Sequence, residues 1–244
     1  MKTRIRKAAV ALLLLLPAGY AFAQSDAHDK QVEDSLREDF KLLRKWARKG
    51  DAEAQYILSD CYFNGKGVSK NPKNALKWLL KAARQDFSPA LYTLARFYEA
   101  GEIVPQNYEE AIRIYRTLAE QGDAEAQCSL AYCSVYGYGV PQNYWEAMRW
   151  YRRAAEQGYA EAQYNLAMAY QGGFGVKQDF EEAVKWYKLA AEQDYADAQY
   201  ALGRCYEEGE GVEQDLEEAA KWYRLAAEQG HEDAKEALEK MKTK

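Results

Sequence analysis

Four cysteines and two histidines are the residues of this chain best equipped for covalent or metal chemistry, and their spacing argues against both. Cys61, Cys133 and Cys205 follow one another in steps of 72 residues, and Cys128 lies five before Cys133. An even number of thiols in an exported protein invites disulfide pairing. Residues that share one phase two repeats apart are separated by an intervening helix pair, beyond the roughly 7 Å that a bridge allows. Cys128 and Cys133, five apart on one helix, point in different directions. Four unpaired, mostly buried thiols are therefore expected. His28 and His231 have no second His or Cys at ligand spacing, so no metal site is expected. Neither Ser-x-x-Lys nor Gly-x-Ser-x-Gly occurs. The Gly-x-Gly loops follow helices and recur, so they read as turns and not as a nucleotide fingerprint. The expectation is a protein with no catalytic residues, no metal and no cofactor.

The elements that carry these residues repeat. Leu58, Leu94, Leu130, Leu166, Leu202 and Leu238 stand 36 residues apart with no insertion or deletion. A fixed period of this size signals stacked two-helix units that bury their apolar faces on one another. In the unit that begins near Ala160, a first helix (A) places Ala162, Leu166, Ala169 and Tyr170 on one side. Glycine at 65, 101, 137, 173 and 209 ends the A helices, and Val68, Val104, Val140, Val176 and Val212 plug the loops back into the stack. The second helix (B) starts on Asn71, Asn107, Asn143, Asp179 or Asp215. Glu110, Glu146, Glu182 and Glu218 stand three positions later, the signature of a capping box. Helix B brings small alanines to the crossings and Trp186-Tyr187 or their equivalents beside them.

The fold predicted is an all-α solenoid of five 36-residue helix-turn-helix repeats with a capping helix at each end. The repeats cover 50–231. Residues 31–49 form the N-terminal cap, with Val32, Leu36, Phe40, Leu43 and Ala47 in one stripe. Residues 232–244 form the C-terminal cap, with Ala234, Ala237, Leu238 and Met241 on one face. Residues 24–30 are polar and aperiodic and read as a flexible leader.

The first 23 residues have the layout of a secretory signal. Lys2, Arg4, Arg6 and Lys7 precede the apolar run Ala8–Leu16, and Ala21-Phe22-Ala23 fits the small-x-small cleavage pattern. Cleavage after Ala23 gives a periplasmic or secreted protein with no membrane insertion. It leaves 29 basic against 38 acidic residues, a net charge of −9. Phosphate binding draws on Lys and Arg, so nucleic acid is an unsuitable partner for so acidic a chain.

The repeating string A-x-A-Q-Y-x-L-G/A-x-x-Y-x-x-G-x-G-V-x-Q-D-x-x-x-A-x-x-W-Y-x-x-A-A-E-Q-G resembles the Sel1-like repeat, a relative of the tetratricopeptide repeat, in register five times. The resemblance implies an adaptor that binds another protein. Exported bacterial members of that family also include immunity proteins that neutralise phospholipase toxins, and one cysteine-rich branch is linked to β-lactam binding or hydrolysis. That branch pairs cysteines within each repeat, a pattern this chain lacks.

Stacking of the tetratricopeptide kind would line a groove with the A helices. Positions uniform across the repeats are explained by stacking, whereas positions that vary are free to bind. The candidate partner-binding residues are Tyr92, Arg96, Tyr132, Val135, Tyr136, Tyr164, Met168 and Arg204. The third repeat departs most: Ser134-Val135-Tyr136 is preceded by Tyr132 and followed by Tyr138. Aromatic residues beside Arg are common anchors of protein interfaces. A monomer that takes one protein partner on this patch is expected.

Overall fold

The computed structural model describes the backbone of residues 27–242 and the side chains of residues 38–241. The expected signal at 1–23 lies outside the described residues. Among the described residues there are twelve helices and no strand. They are α1 (Ala27–Arg48), α2 (Ala52–Asn64), α3 (Pro72–Ala83), α4 (Ser88–Ala100), α5 (Tyr108–Glu120) and α6 (Ala124–Tyr136). These are followed by α7 (Tyr144–Glu156), α8 (Ala160–Gly172), α9 (Phe180–Ala191), α10 (Ala196–Glu208), α11 (Leu216–Glu228) and α12 (Glu232–Lys242). The even-numbered helices α2 to α10 are the A helices, and α3 to α11 are the B helices. The architecture is the all-α solenoid of five 36-residue repeats with capping helices.

One boundary differs from the sequence reading. The first helix starts at Ala27, four residues before Gln31, so residues 27–30 belong to it and not to a leader. Ala-His-Asp-Lys is one helical turn with no apolar stripe, so no amphipathic spacing marks it as helix in the sequence.

The chain divides within α5 into two compact units, one ending at Ile114 and one beginning at Tyr115. In the first, α1 closes the core: Leu43 and Ala47 are buried with Ile57, Leu58, Cys61 and Trp78. Phe40 meets the Tyr62 ring edge-on, 5.8 Å between centroids. Glu38, Lys41, Arg44 and Lys45 of α1 are exposed, as a terminal unit requires. In the second unit the same core recurs. Tyr151, Ala154 and Leu166 form one layer and Tyr187, Ala190 and Leu202 the next. Tyr223, Ala226 and Ala234 form the last, with Ala237, Leu238 and Met241 of α12 packed over it. A leucine buried as fully as Leu166 contributes about 1.5–3 kcal/mol.

A glutamine relay joins four of the five A helices to the helices on either side. Gln163, 4% exposed, donates its side-chain amide to the Ala155 carbonyl of α7 at 3.1 Å. Its Oε1 accepts from Gln193, just beyond α9, at 2.8 Å. Gln55, Gln127 and Gln199 make the same pair of bonds, with Gln85, Gln157 and Gln229 as the donors to them. The Gln of A-x-A-Q and the Gln of A-E-Q-G are thus two halves of one contact. The second repeat has Leu91 at this position.

The loops lie tightly against the stack. Gly211 has φ +72°, and a Cβ there would sit 2.2 Å from the Phe180 carbonyl oxygen, so only a hydrogen fits. The second repeat places Ile103 at the equivalent position, with φ +60°. A β-branched residue is strained there. Its side chain packs onto the first unit's core, which holds it in place.

The B helices start on the expected residues. Asn71, Asn107, Asn143, Asp179 and Asp215 each accept from the backbone N–H three residues on, at 3.0–3.1 Å. The reciprocal half of the capping box does not form. The cap N–H donates instead to an A-helix carbonyl: Asn143 to Ser134, Asp179 to Tyr170 and Asp215 to Tyr206. These bonds satisfy carbonyls that the A-helix ends would leave unpaired. Three of these glutamates pair along their own helices instead, Glu110 with Arg113 at 2.8 Å, Glu182 with Lys185 at 3.0 Å and Glu218 with Lys221 at 3.0 Å.

Candidate functional site

The repeats differ most on one face of α6. In the fourth repeat, Tyr164 packs at a tilt against Tyr187 and Tyr195 with centroids 5.8 and 5.4 Å away. In the fifth, Tyr200 lies between Tyr223 and His231 at 5.6 and 4.6 Å. The third repeat puts Cys128, a buried thiol, at this position.

The buried tyrosines of the B helices also need an acceptor. Tyr187 donates its hydroxyl to Oε1 of Gln171 at 2.8 Å, and Tyr223 donates to Oε2 of Glu207 at 2.8 Å. The equivalent pair in the third repeat is Tyr151 and Val135. Valine accepts nothing, and among the described residues no group hydrogen-bonds the Tyr151 hydroxyl. No fully buried side-chain N or O atom among them lacks a partner. The Tyr151 hydroxyl must therefore open to solvent, although the residue as a whole is 3% exposed. Burial pushes this phenol well up, and Cys128, Glu161, Tyr136 and Tyr132 push it further. It stays protonated and available as a donor at neutral pH.

Tyr132 and Tyr136 lie within electrostatic reach of that hydroxyl, and Tyr138 joins their ring cluster. Tyr132, Val135 and Tyr136 fall at i, i+3 and i+4 on α6 and so share a face. Gly137 ends the helix in the left-handed region and folds Tyr138 back. The Tyr132 and Tyr136 rings are 4.5 Å apart between centroids, Tyr136 and Tyr138 stack at 5.7 Å, and Tyr132 and Tyr138 are 6.1 Å apart. They are 39%, 56% and 36% exposed, a large aromatic surface to leave in water.

The remaining candidates separate. Val135 is half-buried and packs on the core. Tyr164 is half-buried in its ring cluster, and burial pushes its phenol up. Met168 is exposed at the register position of Tyr132 one repeat on. Arg204, at the same position two repeats on, is exposed but already holds Glu208 at 2.7 Å along its own helix. Tyr92, half-buried, and Arg96, exposed, lie on α4 of the first unit. The sequence reading did not include Tyr151 among the candidates. Its signal was available: an acceptor series, Gln171 and Glu207, interrupted by Val135 opposite an unchanged tyrosine.

A second aromatic group lies at the α7 N-terminus. Tyr144 stacks on Phe174 at 6.0 Å. Trp145, 74% exposed, borders an open hollow of about 730 Å³ with Arg152, Tyr170, Lys177 and Asp179. Arg152 donates to the Tyr170 hydroxyl and lies over its ring.

Little here favours covalent chemistry. All four cysteines are free and buried. Burial pushes the Cys61 and Cys205 thiols up to about 12, and Cys128 is raised as well. A nucleophilic cysteine needs the opposite shift. Among the described residues, no His, Cys, Asp and Glu come together in a group that could hold a metal, and no helix is long and apolar enough to cross a membrane.

A family model described as the Sel1 repeat matches residues 52–87, 88–123, 124–159, 160–195 and 196–231. No curated protein matches the chain. Among solved structures, a protective antigen present in uropathogenic Escherichia coli strains, displaying an SLR fold, is 37% identical with a TM-score of 0.77. That match covers 83% of this chain and 43% of the antigen, so the chain spans less than half of its length. A Sel1 repeat protein from Oxalobacter formigenes is 35% identical over 86% of this chain and 84% of its own, with a TM-score of 0.76. An immunity protein from Pseudomonas aeruginosa is 19% identical over 93% of this chain and 81% of its own, with a TM-score of 0.54, which shows a shared fold.

Proposed function

Since the chain belongs to the Sel1 repeat family, we propose that it is a non-enzymatic scaffold that holds another protein, monomeric itself and without a cofactor. The observation that carries this reading is the exposed triad Tyr132, Tyr136 and Tyr138 on α6. Rings of this kind, held in contact with one another and left in water, are frequent anchors of protein interfaces. Met168 and Arg204, at the register position of Tyr132, extend the proposed contact within the second unit. Tyr92 and Arg96 are proposed separately as contacts on the first unit. The signal-like layout of residues 1–23 supports the further proposal that the protein is periplasmic or secreted, with those residues removed. Intact-mass measurement of the protein from its own cells would then give a chain beginning at Gln24.

The scaffold reading is tested by photocrosslinking in the native cell. A benzoylphenylalanine at Tyr136 should trap one partner, whereas the same group at Leu225, exposed elsewhere on the second unit, should not. Tyr132→Ala combined with Tyr138→Ala should remove the adduct. Equal trapping at both positions, or an adduct indifferent to the tyrosines, would sink the reading. Two alternatives rank lower. The immunity reading draws only on a shared fold. A hydrolase acting on β-lactams or cell wall finds no activated thiol here, and turnover of nitrocefin by the purified protein would revive it.

A further inference from the structure

The geometry points to the chemistry of the partner segment: an extended, proline-containing stretch in the polyproline II conformation, whose backbone carbonyl accepts from Tyr151 while its rings lie on Tyr132, Tyr136 and Tyr138. This rests on the scaffold reading above and narrows it.

The argument starts from the hydroxyl. Tyr151 is almost wholly buried, stays protonated, and has no acceptor among the described residues where Tyr187 and Tyr223 have one. A donor left without a protein acceptor, within reach of the exposed Tyr132 and Tyr136, selects for a ligand that brings an acceptor. The acceptor is best uncharged. Glu161, on the neighbouring helix α8, acts on both Tyr151 and Cys128, and Glu125 of α6 acts on Cys128. An incoming carboxylate would meet these negative charges, and the whole chain carries a net −5. A backbone carbonyl meets no such repulsion.

The conformation of the segment follows from where a free carbonyl can come from. A docked α-helix has its carbonyls bonded internally except in its last turn. A β-strand would need an exposed sheet edge to pair with, and the described residues contain no strand. A polyproline II segment has no internal hydrogen bonds, so its carbonyls are free along its length. It presents pyrrolidine rings that suit flat aromatic faces, and little conformational entropy is lost when it binds. The triad supplies three such faces within 4.5–6.1 Å of one another, with Tyr132 and Tyr136 on the α6 face that carries Val135 where an acceptor stands in other repeats.

The test is calorimetric titration of the purified full-length protein with an uncharged, end-blocked decaproline and with a Gly-Ser decapeptide of equal length. Decaproline should bind saturably and the Gly-Ser peptide should not. Tyr151→Phe removes only a hydroxyl that bonds nothing within the protein. It should leave thermal stability unchanged and weaken decaproline binding about three- to tenfold. Tyr187→Phe removes a hydroxyl that is satisfied internally, so it should leave binding unchanged. Tyr132→Ala with Tyr136→Ala should abolish binding. Absence of decaproline binding, or binding indifferent to Tyr151→Phe, overturns the inference. If the crosslink at Tyr136 still traps a partner in that case, the scaffold reading survives and the occupant is a helix or a folded surface. Concentration-dependent self-association lost on Tyr136→Ala would mean that a second copy covers the face, and would equally overturn it. Failure of both the crosslink and the peptide removes the two readings together.

Discussion

Gln193 donates its side-chain amide to Gln163 at 2.8 Å across thirty residues, and Gln163 passes its own amide to the Ala155 carbonyl at 3.1 Å. One buried side chain thus bridges the B helix before it and the B helix after it. Polar groups at such an interface are satisfied in pairs, and removing the middle one leaves two partners stranded. Gln163→Ala should lower stability by about 1–3 kcal/mol, measured by urea unfolding. Gln193→Ala, truncating an exposed residue, should cost less than about 1 kcal/mol. Equal effects would mean that the relay contributes nothing beyond local helix ends.

Gly211 and Gly230 share a positive φ but differ in surroundings. A Cβ at Gly230 meets nothing within 4 Å, whereas at Gly211 it lands 2.2 Å from the Phe180 carbonyl oxygen. Gly230→Ala should cost about 1 kcal/mol from backbone strain alone. Gly211→Ala should cost at least about 2 kcal/mol more, because the loop must lift from the start of α9. Paired thermal melts of the two variants decide this, and similar melting temperatures would refute it.

Alkaline pH should unfold the protein earlier than lysine titration alone would. Cys61 and Cys205 have pKa values raised from 9.0 to about 12 by burial. Above pH 9 the unfolded chain releases these protons while the folded chain keeps them, so the folded state binds more. The stabilisation is fully present below pH 9 and is lost as pH rises toward 12, by about 1.4 kcal/mol per pH unit for each thiol. Urea midpoints between pH 8.5 and 11.5 should fall less steeply in the Cys61→Ala, Cys205→Ala double variant, despite its lower starting stability.

The C-terminal helix should act as a lid on the last repeat. Ala234 is fully buried against Tyr223 and Ala226, and Ala237, Leu238 and Met241 pack beside it. Truncation after Gly230 exposes that layer and removes roughly 3 kcal/mol of burial. Hydrogen exchange should then speed up in Ala196–Glu228 first, because a solenoid passes stability only between neighbours. A uniform rise across the second unit would argue for a single cooperative core instead.

Much of this molecule is written in its period. The buried leucines, the glycine that ends each A helix, the Asn or Asp that opens each B helix and the apolar stripe of α1 recur at a spacing only stacked helix pairs explain. They are legible because each unit meets the same neighbour in the same way, so local chemistry repeats with the contact that demands it. Even the candidate face on α6 showed itself as a departure from that period, in Tyr132 and Tyr136. Other features depend on where an atom ends up after packing. The N–H of Asp179 faces the Tyr170 carbonyl and not Glu182, because the A-helix end lies above it. Arg204 is held by Glu208, and Tyr164 is absorbed into a ring cluster. The orphaned hydroxyl of Tyr151 belongs to this second class. Its missing partner would stand sixteen residues earlier on another helix, and only the crossing of α6 and α7 brings Val135 to the place where an acceptor was needed.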